Sequence, residues 1–160
     1  MNRAYDRVTA DLSGDFVVFL IGMRINQPWK IRAWLPVFLA MPRMLRELQS
    51  QPELGLLGAH FHGLTQVQYW RSIEHLHAYA RAQDRAHLPA WRAYQRHARA
   101  AGGAVGIWHE TYLVPAGAHE SIYVNMPPTG LGRAGTLRPA TGHRQTAQGR
   151  LGNPVAPTTP

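Results

Sequence analysis

The neighbouring residues His109 and Glu110 are the first candidates for chemistry, because they interrupt an otherwise largely apolar stretch, GIWHETYLV at 106–114. Its β-branched and aromatic residues are typical of a strand, in which neighbouring side chains point to opposite faces. Neutral histidine can act as a general base near pH 7. We therefore predict His109 as a base or hydrogen-bond donor and Glu110 as a second catalytic candidate. The alternative is structural, with Glu110 paired to an arginine such as Arg24.

Arg24 is the third candidate catalytic residue, since it follows the apolar run FVVFLIGM at 16–23 in the same predicted strand. A guanidinium group that enters a sheet cavity can bind a substrate oxyanion through two parallel hydrogen bonds. The alternative is an ion pair at the end of the strand. Asn26, two residues later, is a weaker substrate-binding candidate that could simply end the strand.

Aromatic residues are abundant near these positions and could line an apolar pocket for a planar substrate. The substrate-binding candidates are Trp70, Trp91, Trp108 and Tyr112, with Tyr69 beside them. Core packing explains most of these aromatic residues equally well, so we expect only one or two to contact a ligand.

The histidines His60 and His62 alternate in a predicted strand and therefore share one face. A metal site would need a third ligand, and no carboxylate motif accompanies the pair. His75 and His77 are two residues apart in a predicted helix and do not share a face. The histidine pattern alone therefore does not define a metal site.

The elements that must position these residues follow the order β-α-β-β-α-β, which is the ferredoxin-like arrangement of the α+β class. We predict strands at 15–26, 56–61, 64–70 and 106–114, a hairpin turn at His62-Gly63 and an extended piece at 120–125. The segment 29–49 is expected to form a short turn followed by a helix. Ser72 is expected to be the N-cap of a second helical segment that is interrupted near Asp84 and resumes at Pro89 to about Ala100. Pro36 is expected in the first turn of the first helix, with a kink near Pro42. Because both helices would cover one face of the sheet, we expect a second subunit on the other face, which would give a homodimer.

The chain has 160 residues, which suits one folded domain at 15–128 between a flexible leader at 1–14 and a disordered basic tail at 129–160. The tail is rich in Gly, Pro and Thr and poor in large apolar residues. The chain has a net charge of +8, and four of its arginines lie in this tail. No acidic residue follows Glu120. The folded part is only mildly basic, so nucleic-acid binding is not expected.

Cysteine is absent, which excludes disulfides, iron–sulfur clusters and thiolate chemistry. No apolar run approaches the ~18 residues of a membrane span, and we see no secretory signal. We therefore expect a cytoplasmic protein without a membrane partner.

Six segments resemble a family of dimeric α/β-barrel, monooxygenase-like proteins: FLIGMRINQPWK, WLPVFLAMPRMLREL, VQYWRS, HLPAWRAY, GIWHETYLVPAG and YVNMPPTGLG. The family was long a domain of unknown function. It is related to the antibiotic-biosynthesis monooxygenases, and a fungal member belongs to a fumagillin-type pathway. The resemblance runs from about Asp15 to Gly132.

The resemblance implies a homodimeric monooxygenase-like enzyme that oxidises a small apolar or aromatic substrate between sheet and helices. Some relatives oxygenate quinols without metal or flavin, which implies no cofactor. Others in the superfamily bind haem, including haem-degrading monooxygenases, chlorite dismutases and aldoxime dehydratases, and their similarity points to His87 as an axial ligand. A third alternative is a non-catalytic dimer that binds a small ligand.

Overall fold

The computed structural model describes residues 7–82, 92, 94–95 and 102–152. Its six strands are β1 (Val8–Asp11), β2 (Phe16–Ile25), β3 (Leu56–His62), β4 (Thr65–Trp70), β5 (Val105–Val114) and β6 (Thr136–Pro139). Its helices are α1 (Ile31–Ser50), α2 (Ile73–Arg81) and the single turn α3 (Ala147–Arg150). Short 3-10 turns lie at Pro52–Leu54, Gly130–Arg133 and Gly142–Gln145.

The main sheet has the strand order β3-β4-β2-β5, and all of its neighbours are antiparallel. This order confirms the predicted ferredoxin-like arrangement, because each β-α-β connection skips one strand position. The register places Ile21 of β2 opposite both Gln66 of β4 and His109 of β5. These three residues therefore form one row across the sheet, on a single face.

Helices α1 and α2 cover that face and bury a core of Val17, Leu48, Trp70, Leu76 and Tyr79. The predicted place of Pro36 in the first turn is wrong, since α1 already begins at Ile31 and one helix of 20 residues continues through Pro36 and Pro42. Its buried residues Met44, Leu45 and Leu48 follow the second proline. Burial of this apolar stripe outweighs the backbone hydrogen bonds that the two prolines remove.

Both ends of the described chain differ from the prediction, because β1 pairs with β6 in a second, two-stranded sheet. The leader and tail are ordered there since Ala10 and Leu131 pack on Phe16 of the main sheet. Two of the four tail arginines also have acidic partners: Arg138 lies 3.8 Å from Asp11, and Arg150 lies 2.8 Å from Glu120. The predicted extended piece at 120–125 contributes only a bridge between Tyr123 and Val8.

The second sheet and the 3-10 turn at Gly130–Arg133 cover one end of the sheet face that the helices leave free. The other end of that face carries Leu20, Trp108, Glu110 and Tyr112. Trp108 and Tyr112 are exposed there. None of the described helices has the length and apolar character that a membrane span requires.

Candidate functional site

A cavity of about 290 Å³ lies between α1 and the main sheet. This volume is near the lower end of the range for small-molecule pockets, about 300–1,000 Å³. Its wall is formed by α1, by β2 from Ile21 to Met23, by the β3–β4 turn and by Ile107 of β5. The helix contributes Val37, Phe38, Met41 and Pro42. The cavity therefore suits a small ligand that is mostly apolar.

Gln66 of β4 is the one lining side chain of the described wall that carries amide or charged groups. It is 1% exposed, and its neighbours on the same face, Gln68 and Trp70, are also buried. The Trp70 Nε1–H donates to Gln68 Oε1 at 2.8 Å, and Gln68 Nε2 donates to Gln66 Oε1 at 2.5 Å. Gln68 Nε2 also contacts the Met41 sulfur at 3.9 Å. The three side chains form one directed series of hydrogen bonds that ends at the cavity.

Sequence reasoning missed Gln66 and Gln68, although the segment QVQYW contained a usable signal. Two amides alternate with apolar residues and precede a tryptophan, so all three side chains must share one face of a strand. Val67 and Tyr69 lie on the other face of β4. The sequence therefore identifies a polar face that carries the two amides, but its burial becomes evident only when the helices are placed over it.

His109 lies on the helix-covered face of β5, opposite Ile21. Its ring centroid is 5.5 Å from that of Phe19. His109 is exposed and does not line the cavity, but Ile21 and Ile107 beside it do. The predicted base therefore lies at the cavity's edge.

Arg24 and Glu110 lie on the opposite face of the sheet from His109. The structure therefore does not bring the three predicted catalytic residues together. Glu110 accepts a hydrogen bond from the Tyr112 hydroxyl at 2.5 Å, and this bond raises the pKa of Tyr112. Trp108, on the same face, covers Gly22 so closely that a Cβ at residue 22 would overlap the indole ring. These side chains form an exposed surface rather than a pocket around His109.

Trp70 and Asn26 have structural positions. Trp70 is 1% exposed and packs against Tyr79 in the core, with ring centroids 5.9 Å apart. Asn26 Nδ2 donates to the Gly103 carbonyl at 2.9 Å and so joins the end of β2 to the residues before β5. Trp91 and His87 lie outside the described residues.

His60 and His62 share the face away from α1, and their ring centroids are 4.7 Å apart. His60 also lies within 3.3 Å of the Thr129 hydroxyl. Across the described part of the chain, no group of three or more metal-binding side chains comes together. His60 and His62 are therefore neighbours on one face of a strand, without a third metal-binding side chain beside them among the described residues.

Haem would require an axial ligand and cationic partners for its propionates. The lining residues of the described cavity include neither a histidine nor a cationic side chain. The predicted axial residue His87 is not among the described positions. The described part of the cavity wall therefore supplies neither an axial ligand nor a cationic partner for haem, and no chemistry is assigned to that group.

The sequence profile of the family described as "Monooxygenase af470-like" matches residues 16–131. The chain is 34% identical over 134 residues to "Monooxygenase af470" of Aspergillus fumigatus. That alignment covers 75% of this chain and 46% of the relative, so the chain spans about half of that relative's length.

A crystal structure of aldoxime dehydratase has a similar fold, with a TM-score of 0.63 at 20% sequence identity. The similarity covers 85% of this chain and 43% of that one. The family profile includes every strand of the main sheet together with α1 and α2. The chain belongs to the monooxygenase af470-like family.

Proposed function

We propose that this protein is a monooxygenase-like enzyme that oxidises a small apolar or aromatic molecule in the cavity beneath α1. The observation that carries the proposal is the apolar cavity of about 290 Å³, lined by elements that the family profile covers. The identity of 34% to a monooxygenase supports the reaction class.

In the proposed reaction, His109 removes a proton from a methylene carbon whose C–H bonds are made acidic by conjugation of the resulting anion with a substrate carbonyl. The resulting anion is electron-rich and reduces O₂ directly. A methylene group then becomes a carbonyl, and the second oxygen atom leaves as water: R₂CH₂ + O₂ gives R₂C=O + H₂O. The substrate supplies all of the electrons, so the balance needs no external reductant.

Oxygen uptake with anthrone as the substrate tests this proposal, because anthrone has a methylene group activated by a ketone. We expect uptake above the uncatalysed rate and formation of anthraquinone. His109→Ala should lower the rate about 10²-fold or more, which is the usual contribution of a general base. His77→Ala is the matched control, since His77 is an exposed histidine of α2 away from the sheet.

Unchanged turnover in a folded His109→Ala variant would remove His109 from the mechanism.

An absorption spectrum after addition of hemin tests the cofactor independently. A sharp, stoichiometric Soret band that His87→Ala abolishes would overturn oxidation without a cofactor and would favour a haem enzyme instead.

We also propose that two copies of the chain associate through the exposed end of the sheet face that carries Trp108 and Tyr112. Two large aromatic side chains exposed on one strand face are typical of association surfaces. The chain spans 46% and 43% of the two similar proteins, so a second copy would bring the assembly close to their size.

A further inference from the structure

The orientation of the Gln66 amide follows from covalent chemistry. An indole nitrogen can only donate a hydrogen bond, so Gln68 must turn its oxygen toward Trp70 Nε1. The nitrogen of Gln68 must then face Gln66, and the oxygen of Gln66 accepts its hydrogen bond. The nitrogen of Gln66 is therefore left at the end of the series, and neither amide can be reversed without breaking a buried hydrogen bond.

Gln66 Nε2 is buried, and it has no hydrogen-bond partner among the described residues. Buried amide groups in proteins almost always have a partner. Gln66 also lines the cavity, where the other described side chains are apolar. A ligand that packs against Gln66 would thus find one unpaired donor in an otherwise apolar wall, once a small shift of the side chain brings Nε2 to the cavity surface.

We propose that Gln66 Nε2 binds the carbonyl oxygen of the substrate, so that the cavity selects apolar ketones over hydrocarbons of the same shape. The inference rests on the proposed function and specifies its substrate class. A site built around a buried donor rejects an analogue that lacks the acceptor, because that analogue leaves the donor unpaired.

The register explains how the same donor would assist the reaction. Gln66 and His109 both lie opposite Ile21, so their strands flank β2 and are about 10 Å apart. A small ketone that lies across Ile21 can direct its oxygen to Gln66 and its acidic C–H to His109. As the proton leaves, negative charge develops on that oxygen, and the fixed donor stabilises the charge.

The test uses a matched pair, 9-fluorenone and fluorene, which differ mainly in the carbonyl oxygen. Binding is measured without O₂, because fluorene has a methylene group that the proposed reaction would oxidise to fluorenone. Equilibrium dialysis with the wild-type chain should show about tenfold or greater preference for fluorenone, the effect of one well-formed hydrogen bond. Gln66→Met has a similar volume without the donor. We expect it to weaken fluorenone binding about tenfold and to leave fluorene binding unchanged or improved. Gln49→Met, an exposed site on α1, should change neither affinity.

Infrared difference spectra of bound fluorenone provide a second measurement that does not depend on the variant folding well. The carbonyl stretch of fluorenone in the wild-type protein should lie at lower frequency than in hexane, as a hydrogen-bonded carbonyl does. Equal binding of both probes with an unshifted carbonyl stretch would overturn the role of Gln66, while anthrone oxidation could still support the proposed function. Binding of neither probe would also overturn the inference, and oxygen uptake would then decide the proposed function separately.

Discussion

Trp70 determines more than the packing of the core, because its indole N–H sets the direction of two buried amides. Trp70→Phe keeps an aromatic ring but removes the donor, which leaves Gln68 Oε1 without a partner. We expect the free energy of unfolding to fall by about 1–3 kcal/mol from the lost hydrogen bond, with a further loss from the smaller ring. Urea unfolding measures the change.

Trp108→Phe is the control for Trp70→Phe, since Trp108 is an exposed tryptophan on the other face of the sheet. It should change stability much less. Equal losses in the two variants would show that the buried hydrogen bond contributes nothing measurable.

His119 makes stability depend on pH. Burial lowers the pKa of His119 below its ordinary value of 6.5, although Asp11 acts in the opposite direction. The ring packs edge-on against Phe16, with centroids 5.1 Å apart, and its Nδ1 has no partner among the described residues. The unfolded chain therefore binds a proton at this residue more readily than the folded chain does. The free energy of unfolding should fall as pH drops below about 6.5, the ordinary pKa of histidine, toward the lower pKa of His119 in the folded chain.

We expect the wild-type chain to lose more stability between pH 7.5 and pH 5 than His119→Phe does. Urea unfolding at the two pH values measures the difference, and His143→Phe, at an exposed histidine, should behave like the wild type. A parallel pH dependence in His119→Phe would contradict the assignment.

Sequence reasoning at this scale recognised polar residues on a strand but not their partners. The alternation of side chains correctly separated His109 from Glu110. It could not show that Arg24 lies on the face away from His109, because the extent of β2 and its register with β5 depend on tertiary pairing. The Gln66 donor was missed for the same reason: its isolation depends on which helix covers the strand.

At the scale of elements, α2 shows how a local signal can specify a boundary. Ser72 was predicted as the N-cap, and its Oγ accepts a hydrogen bond from the His75 amide at 3.4 Å. We expect Ser72→Ala to destabilise the protein by about 0.5–2 kcal/mol, whereas Ser72→Asp should retain most of the stability because aspartate also caps helices. Thermal unfolding followed by circular dichroism measures both variants.

Ser50→Ala is the matched control for the cap, because Ser50 lies at the C-terminal end of a helix and its hydroxyl donates to the Glu47 carbonyl rather than capping a helix N-terminus. Its effect should be smaller than that of Ser72→Ala. If Ser72→Asp were as unstable as Ser72→Ala, the side-chain cap would not be the cause.

The prediction of elements succeeded where periodicity was strong and failed where structure depended on distant partners. Apolar spacing identified the four main strands and their order of connection. The strands β1 and β6 have four residues each, and neither has a strong pattern of its own. They are ordered by pairing with each other and by contact with Phe16, which local sequence does not reveal.

At the scale of the whole molecule, the exposed sheet surface predicts assembly. Tyr112→Arg would place a long charged side chain on the proposed contact between two copies, so we expect a shift toward monomer in light scattering coupled to size-exclusion chromatography. Arg71→Glu is a control that changes charge at an exposed site beyond the end of β4. A wild-type chain that remained monomeric at high micromolar concentration would contradict the proposed dimer.

The pairing of β1 with β6 has a consequence for the order in which the molecule assembles. Thr9 pairs with Arg138, so this sheet closes a loop of about 130 residues, whereas the β3–β4 hairpin closes through a short turn. Contacts so distant along the chain form late in folding. During synthesis, all four strands around the cavity are complete at Val114, before β6 has been made. The two-stranded sheet therefore forms last and joins the two ends of the described chain. Its amide hydrogens should exchange with solvent sooner than those of β2 and β4.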